Sequence, residues 1–183
     1  AKNNTWNVCR EAAQSIESET DIPQGLLETI SLIETGRWST LNQRSMAWPW
    51  TITSGTRHWY FSSKEEAIYH VNNLLNSGVK NIDIGCMQIN LYHHGTEFLS
   101  LENALNPLSN VRYAASYLMK LRKSTSNWFD AAGNYHSTTP KYNKRYKEKL
   151  RKIMKKQTNI NLSAIEHKSS DIRLKRIIRE PVP

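Results

Sequence analysis

Residues 23–37 read PQGLLETISLIETGR, a stretch that predicts one amphipathic helix and the point where it ends. Pro23 suits the first turn of a helix, because the N–H that proline lacks would have no helical partner there. Apolar residues then recur at helical spacing as far as Thr35-Gly36. Glycine is the usual left-handed terminator of a helix, so we predict that this helix ends at Thr35.

Glu34 lies on the apolar face of this predicted helix. On a helical projection it falls between Leu27 and Ile30, whereas Glu28 falls on the opposite face. A carboxylate pressed against aliphatic side chains loses hydration, which raises its pKa, and the negative end of the helix dipole acts in the same direction. An acid that keeps its proton near neutral pH can serve as the general acid for cleaving a sugar acetal. The alternative is a glutamate that reaches solvent or pairs with Arg37.

The rest of the pattern predicts further helices and one small sheet. The runs AWPWTI and RHWYF flank a turn that contains glycine, so residues 46–61 predict a β-hairpin. Residues 81–90, NIDIGCMQIN, predict a short strand that could pair with this hairpin. The fold class is therefore α+β, mostly helical with a small antiparallel sheet. Apart from the helix that ends at Thr35, apolar periodicity and capping residues predict helices over residues 5–18, 62–78, 100–105, 106–121, 126–137 and 140–156.

Charge is distributed unevenly along the 183 residues. Residues 1–140 hold 11 Lys and Arg against 12 Asp and Glu, whereas residues 141–183 hold 14 against 4. The neutral body argues against a nucleic-acid-binding domain despite a net charge of +9. No apolar run approaches the roughly 18 residues of a membrane span. We predict one domain over residues 1–157 and a basic extension over 158–183, which shows no convincing periodicity.

The two cysteines, Cys9 and Cys86, lie far apart and form no CxxC motif. In an oxidising compartment their natural use is one long-range disulfide, which would contribute about 4 kcal/mol on the chain-entropy model; two buried thiols are the alternative. No HExxH, P-loop, GxGxxG or nucleophile elbow is present, so we predict no metal and no cofactor. The sequence opens at Ala1 with no export segment, as in an exported protein whose signal peptide has been removed or in a trimmed sequence.

Four segments, in order, resemble a known family: IETGR, GCMQIN, NPLSNVRYAASYL and AAGNYHS. Together they are similar to the soluble lytic transglycosylase (SLT) domain, a goose-lysozyme-like group of glycoside hydrolase family 23 that cleaves bacterial peptidoglycan (murein). The resemblance covers roughly residues 22–138. It implies a lysozyme-like fold and a substrate made of glycan strands.

The first two segments imply a catalytic glutamate and part of the sugar site. Glu34 matches the catalytic glutamate of the family, and Thr35 stands where the family usually has serine, so its hydroxyl would orient a sugar or the carboxylate. Met87 and Gln88 match the Met-Gln that lines the sugar site. Cys86 replaces a leucine of that motif, which makes a Cys9–Cys86 bridge more attractive.

The later segments and the tryptophans add further predicted substrate contacts. Tyr135 matches a tyrosine whose hydroxyl lies near the catalytic carboxylate, and His136 stands in place of the asparagine that follows it in the family. The ring of Trp50 could cover a sugar face in the groove, although such a ring can equally belong to the core of the small sheet. For Asp83 a structural role in accepting backbone N–H bonds is favoured over a catalytic one. Asn90 is an amide where goose lysozymes have an aspartate.

The resemblance implies a lytic transglycosylase that cleaves the β-1,4 bond from N-acetylmuramic acid to N-acetylglucosamine and leaves 1,6-anhydromuramoyl ends. Most glycosidases need a second carboxylate, so a goose-type lysozyme that uses Asp83 is one alternative. A non-catalytic peptidoglycan-binding protein that uses the basic extension is another. A periplasmic or secreted bacterial protein is implied, with peptidoglycan, and an envelope-spanning secretion, flagellar or pilus assembly, as the partners.

Overall fold

The computed structural model describes residues 5–157 and 165–166. Most of the basic extension predicted over residues 158–183 therefore lies outside the described residues. Helices dominate, as predicted, and they are α1 (Val8–Glu19), α2 (Leu26–Thr35), α3 (Lys64–Asn76), α4 (Leu91–His94), α5 (Leu101–Ala104), α6 (Pro107–Arg122), α7 (Trp128–His136) and α8 (Pro140–Lys156).

The strands form two small antiparallel sheets, which confirms the α+β class. One sheet is a hairpin of two strands, and the other has four strands in the order β4-β3-β5-β6. The strands are β1 (Gly36–Ser39), β2 (Arg44–Ala47), β3 (Thr51–Ser54), β4 (Arg57–Tyr60), β5 (Asp83–Ile84) and β6 (Ile89–Asn90).

Four details of the predicted elements are wrong. Helix α2 begins at Leu26 after Gly25, so Pro23 precedes the helix and does not lie in its first turn. The predicted hairpin over 46–61 is shorter, because residues 46–47 pair instead with residues 36–37 in a hairpin that was not predicted. The predicted strand over 81–90 is two short strands, β5 and β6, joined by a tight turn over residues 85–88, and β5 pairs with β3. Gly36 ends α2 with φ −61°, so it is not a left-handed terminator. Glycine is needed there because a Cβ would collide with the carbonyl oxygen of Leu32.

Two apolar clusters hold these elements together. The larger cluster lies between the helices and includes Leu27, Ile30, Leu150 and Ile165, all fully buried. The smaller cluster packs α3 and α5 against the four-stranded sheet around Ile52 and other buried side chains. The C-terminal end of α2 meets β1 and α8 at the edge of the larger cluster, and this junction carries Glu34.

Glu17 fixes the other end of α2. Its carboxylate accepts hydrogen bonds from the N–H of Gly25 at 2.8 Å and of Leu27 at 2.7 Å, so it satisfies donors that a helix N-terminus leaves free. The side chain is almost completely buried, and burial raises its pKa to about 7 against the opposing effect of these donors. Helix α2 thus has a glutamate close to each end, the buried Glu17 of α1 at its N-terminus and the partly buried Glu34 in its own last turn.

Candidate active site

Glu34 lies in the last turn of α2 and borders an open cleft of about 450 Å³. Its side chain is 16% exposed, whereas Leu27 and Ile30 on the same face are fully buried. Burial raises the pKa of Glu34 from 4.5 to about 7. The cleft is lined by Glu34, Thr53, His58, Asp83, Gln88, Ile89, Asn90, His93, His94, Tyr117, Tyr135 and His136.

Tyr146 of α8 holds the carboxyl group of Glu34. The tyrosine hydroxyl donates a hydrogen bond to Oε1 at 2.9 Å, and this bond opposes the rise in pKa because it favours the charged form. When Glu34 is protonated, Oε1 is the natural acceptor for this bond, and the proton then resides on Oε2. The sequence analysis did not identify Tyr146 as a site residue, because it lies 112 residues from Glu34 and belongs to no motif.

His136 completes this side of the cleft. Its ring stacks on that of Tyr146 with centroids 4.5 Å apart and planes 8° from parallel, and its Nδ1 lies 3.9 Å from Oε1 of Glu34. Burial, and to a lesser extent the positive charge of Lys149, lower the pKa of His136. This shift disfavours the charged ring and therefore disfavours an ion pair between His136 and Glu34.

Asp83 faces the same cleft from β5. Its carboxylate accepts a hydrogen bond at 2.8 Å from the side-chain amide of Asn90, its cross-strand neighbour on β6. Asp83 lies at the start of β5, and the hydrogen bond that its carboxylate accepts comes from a side chain and not from the backbone N–H groups that were expected. Burial raises the pKa of Asp83, and the negative charge of Asp83 contributes to the raised pKa of Glu34.

The turn over residues 85–88 forms the floor beside Glu34. Met87 is fully buried, its N–H donates to Oδ1 of Asn110 at 2.9 Å, and its carbonyl accepts the hydroxyl of Tyr135 at 2.8 Å. Gln88 has a positive φ of 50° and lines the cleft, with Nε2 donating to the carbonyls of Thr51 at 3.1 Å and Gly85 at 3.2 Å. A left-handed glutamine is a strained conformation that the surrounding hydrogen bonds maintain.

Gly85 allows this turn to sit close to α6. Its φ is 78°, and a Cβ at this position would lie 2.5 Å from Nδ2 of Asn110. That amide donates to the carbonyls of Ile84 at 3.1 Å and Ala104 at 3.0 Å, so Asn110 cannot easily move aside. Next to this glycine, a disulfide joins Cys86 to Cys9 of α1. The floor of the cleft is therefore tied to two helices.

The other predicted contacts are divided between the cleft and the interior. Tyr135 lines the cleft, but its hydroxyl is bonded to the backbone of Met87 rather than to Glu34. Thr35 is buried, and its hydroxyl lies 3.0 Å from the carbonyl of Ser31 and 3.2 Å from that of Cys86. The structure therefore places Thr35 as a link from α2 to the turn and places the side chain of Met87 in the core.

The tryptophan side chains of this region lie away from the cleft. Trp50 packs on the smaller core cluster and does not line the cleft. Trp48 is buried, with Nε1 donating to the carbonyl of Phe61 at 2.8 Å. The β3–β4 hairpin reaches the cleft through Thr53 and His58, which are linked by a 3.0 Å hydrogen bond. Trp50 therefore takes the place in the core that the sequence left open as the alternative, and the hairpin presents polar side chains to the cleft.

His93 and His94 are adjacent in sequence, and both line the cleft. Nδ1 of His94 lies 2.8 Å from the hydroxyl of Tyr113, a contact that fixes its ring. In the described part of the chain, no three His, Cys, Asp or Glu side chains are grouped so that they could hold a metal ion. None of the described helices is both long enough and apolar enough to cross a bilayer.

Comparison with known families places this geometry in context. A family model described as "Transglycosylase SLT domain" matches residues 62–159, which is more than half of the chain. No curated protein and no solved structure matches. The matched region contains Gln88, Tyr135 and Tyr146 and begins after Glu34. The role of Glu34 therefore depends on the geometry of the cleft and on the IETGR segment.

Proposed function

The chain belongs to the transglycosylase SLT domain family, and we propose that it is a lytic transglycosylase in which Glu34 acts first as acid and then as base. The family supports a peptidoglycan-cleaving activity of the lytic transglycosylase type in general. The single observation that carries the assignment of Glu34 is its setting. It is a mostly buried carboxyl group that opens on the cleft, with a pKa of about 7 and one oxygen held by Tyr146.

The first step is protonation of the leaving group. Oε2 of Glu34 gives its proton to the glycosidic oxygen between N-acetylmuramic acid and N-acetylglucosamine, and the C1–O bond breaks as positive charge develops at C1. The carbonyl of the N-acetyl group steadies this oxocarbenium-like centre. A pKa near the working pH keeps a useful share of Glu34 protonated, which a normal pKa of 4.5 would not.

The second step returns the proton. The C6 hydroxyl oxygen of the muramoyl residue attacks C1 while Glu34, now a carboxylate, accepts the hydroxyl proton. The products are a free N-acetylglucosamine hydroxyl and a 1,6-anhydro end, and no water is consumed. Tyr146 donates to the carboxylate between the two steps, which stabilises the ion without neutralising it.

Product mass tests this reaction directly. Purified peptidoglycan digested with the protein should release fragments whose muramoyl ends are lighter by one water than the reducing ends that hydrolysis leaves. Fragments with reducing ends only would contradict transglycosylation. A Glu34→Gln variant that still releases fragments at the normal rate would exclude Glu34 as the acid in either reaction.

A goose-type hydrolytic lysozyme is the second candidate, because Asp83 opens on the same cleft and acts electrostatically on Glu34. In a hydrolytic reaction Asp83 would position the attacking water. Its partner Asn90 is an amide and cannot accept a proton, which favours transglycosylation. Asp83→Asn should leave anhydro products in place if Glu34 works alone, whereas loss of all products would favour a two-carboxylate reaction.

The same reasoning gives a site of action outside the cytoplasm, in the periplasm or after secretion. Peptidoglycan lies there, and the Cys9–Cys86 disulfide fits an oxidising compartment. An envelope-spanning assembly as partner stays a prediction, as does the division of the chain at residue 157.

A further inference from the structure

Helix α8 carries much more positive charge than the rest of the described chain. Nine of its residues are Lys or Arg, and Glu148 is its one acidic residue. Two of the nine cations are paired on the flank that faces α7. Lys147 lies 2.9 Å from Asp130 and Arg151 lies 3.1 Å from Glu166. Within the described ranges, the other seven form no ion pair.

Four of these seven cations form a row along one side of the helix. Arg145, Lys149, Lys152 and Lys156 are separated by four, three and four residues, so they share one side, and all four are exposed. At 1.5 Å per residue the row is about 16 Å long. The stripe that packs into the core, which includes Leu150, lies on a different side of the helix.

The row begins beside the catalytic cleft. Tyr146, which holds Glu34, follows directly after Arg145 and stacks on His136. The positive charge of Lys149 acts on both Glu34 and His136, so the side of α8 that carries the row lies next to the cleft. The residues that line the cleft itself include two carboxylates and no Lys or Arg. Anionic groups on a bound strand therefore find cations on α8 and not inside the cleft.

We propose that the row Arg145, Lys149, Lys152 and Lys156 is a binding surface for the carboxylates of peptidoglycan, where a strand leaves the cleft. This inference rests on the proposed function, because it assigns the cleft to the glycan. The muramoyl peptides of the wall carry free carboxylates, so a strand that runs along α8 presents negative charge to the row. Exposed cations also attract such a polymer at distance and speed its arrival at the cleft.

A lipid surface fits this face less well. A basic helix that lies on a bilayer needs an apolar face that enters the acyl region. The apolar stripe of α8 is already buried in the protein, with Tyr146, Leu150 and Met154 each no more than 3% exposed. The surface that remains is mostly cationic, and Tyr142, 54% exposed, is the one large apolar side chain that the described part of α8 exposes to this extent. Such a surface suits a hydrated polyanion better than an acyl layer.

Two charge-matched variants test the row. Lys152→Gln/Lys156→Gln removes two charges from the row, and Lys144→Gln/Lys155→Gln removes two exposed charges from the other side of the exposed face. Both are made in the full chain with Glu34→Gln, so that the wall stays intact. Binding to insoluble peptidoglycan is measured by co-sedimentation at increasing salt. The row variant should bind about three- to tenfold more weakly at low salt, as expected for two exposed charge contacts, while the control variant keeps its affinity.

Three further outcomes decide the identity of the ligand. When the wall carboxylates are amidated, the protein with the intact row should bind peptidoglycan as weakly as the row variant binds the unmodified wall. Equal losses in the two variants would overturn the proposal, because net charge alone would then account for binding. Binding to anionic phospholipid vesicles or to DNA that is tighter than binding to the wall, and that depends on the row, would also overturn it. Whether fragments are released is scored separately with Glu34 intact, so a failure of the proposed reaction is distinguishable from a failure of the row.

Discussion

A glutamate side chain lies at each end of helix α2, Glu17 of α1 at its N-terminus and Glu34 of α2 itself in its last turn, and the two have different settings. Near the N-terminal end, Glu17 is almost completely buried and accepts hydrogen bonds from backbone N–H groups. At the C-terminal end, Glu34 accepts one hydrogen bond from Tyr146 and opens on the cleft. Burial raises the pKa of both to about 7. A raised pKa therefore does not by itself identify a catalytic acid. Glu34 differs from Glu17 because it borders the cleft and has one oxygen, Oε2, that can face a ligand there.

The largest expected difference is in activity. Glu34→Gln should lower kcat for release of peptidoglycan fragments by about 10³-fold, because a positioned general acid contributes about 10²–10⁴-fold. Glu17→Gln is the matched substitution at the other end of the helix, and it should leave kcat per folded molecule within about threefold. A comparable loss of kcat in both variants would remove the distinction between the two glutamates.

The next effect is on stability as a function of pH. Because the pKa of Glu34 rises from 4.5 to about 7 on folding, the folded chain keeps a proton that the unfolded chain releases in that interval. Stability therefore falls as pH rises from about 4.5 to about 7. Above pH 7 this titration of Glu34 has lowered the free energy of unfolding by on the order of 3 kcal/mol. Glu34→Gln should recover much of it above pH 7 and little near pH 4, as measured by urea unfolding.

The control for this measurement is Glu11→Gln. Glu11 is exposed on α1, so its replacement removes one carboxylate without changing the cleft or the packing around it. A Glu34→Gln variant with the same pH dependence as the unsubstituted protein would show that Glu34 titrates as a hydrated carboxylate.

At the other end of α2, the expected effect is structural. Glu17→Ala leaves the N–H groups of Gly25 and Leu27 without their acceptors and opens a small void, so it should lower the free energy of unfolding by about 2 kcal/mol. Chemical denaturation at pH 5.5 measures this change. Activity assayed on the folded fraction should be preserved, and a specific loss of kcat in that fraction would contradict a purely structural role.

The smallest expected effect concerns the hydroxyl that distinguishes the site of Glu34. Tyr146→Phe keeps the ring and its stacking on His136 and removes the hydrogen bond to Glu34. We expect kcat to fall about tenfold. The pKa of Glu34 should rise, which moves the alkaline limb of the pH–rate profile to higher pH. Tyr142→Phe is the control, because Tyr142 is 54% exposed on the same helix. Identical pH–rate profiles for the two variants would exclude a role for the hydroxyl.

The residues that could be predicted from sequence are those whose signal is local. Glu34 breaks the apolar pattern of its own helix, and Gln88 lies in a short motif, so neither required knowledge of the tertiary structure. Tyr146 lies 112 residues from Glu34 and looks like an ordinary core position of α8. Only packing of α8 against α2 brings the two together.

The errors have equally local causes. The β1–β2 hairpin was not predicted because each of its strands has only four residues. Its turn also requires a φ of 50° at Gln43, and glutamine does not usually indicate a left-handed residue in a turn. Thr35 and Trp50 carry groups that suit sugar binding, but composition cannot tell which way a side chain points.

One consequence follows from the Cys9–Cys86 bond. The bond closes a ring of chain that contains α2, the two hairpins and α3, and its two ends meet at the turn that carries Gln88. The tip of the β3–β4 hairpin, at the exposed Gly55, is remote in sequence from both anchor points. Lengthening or shortening that tip should change the height of the cleft wall while the anchored floor keeps its shape. Protein engineers could therefore reshape the cleft there without altering Glu34.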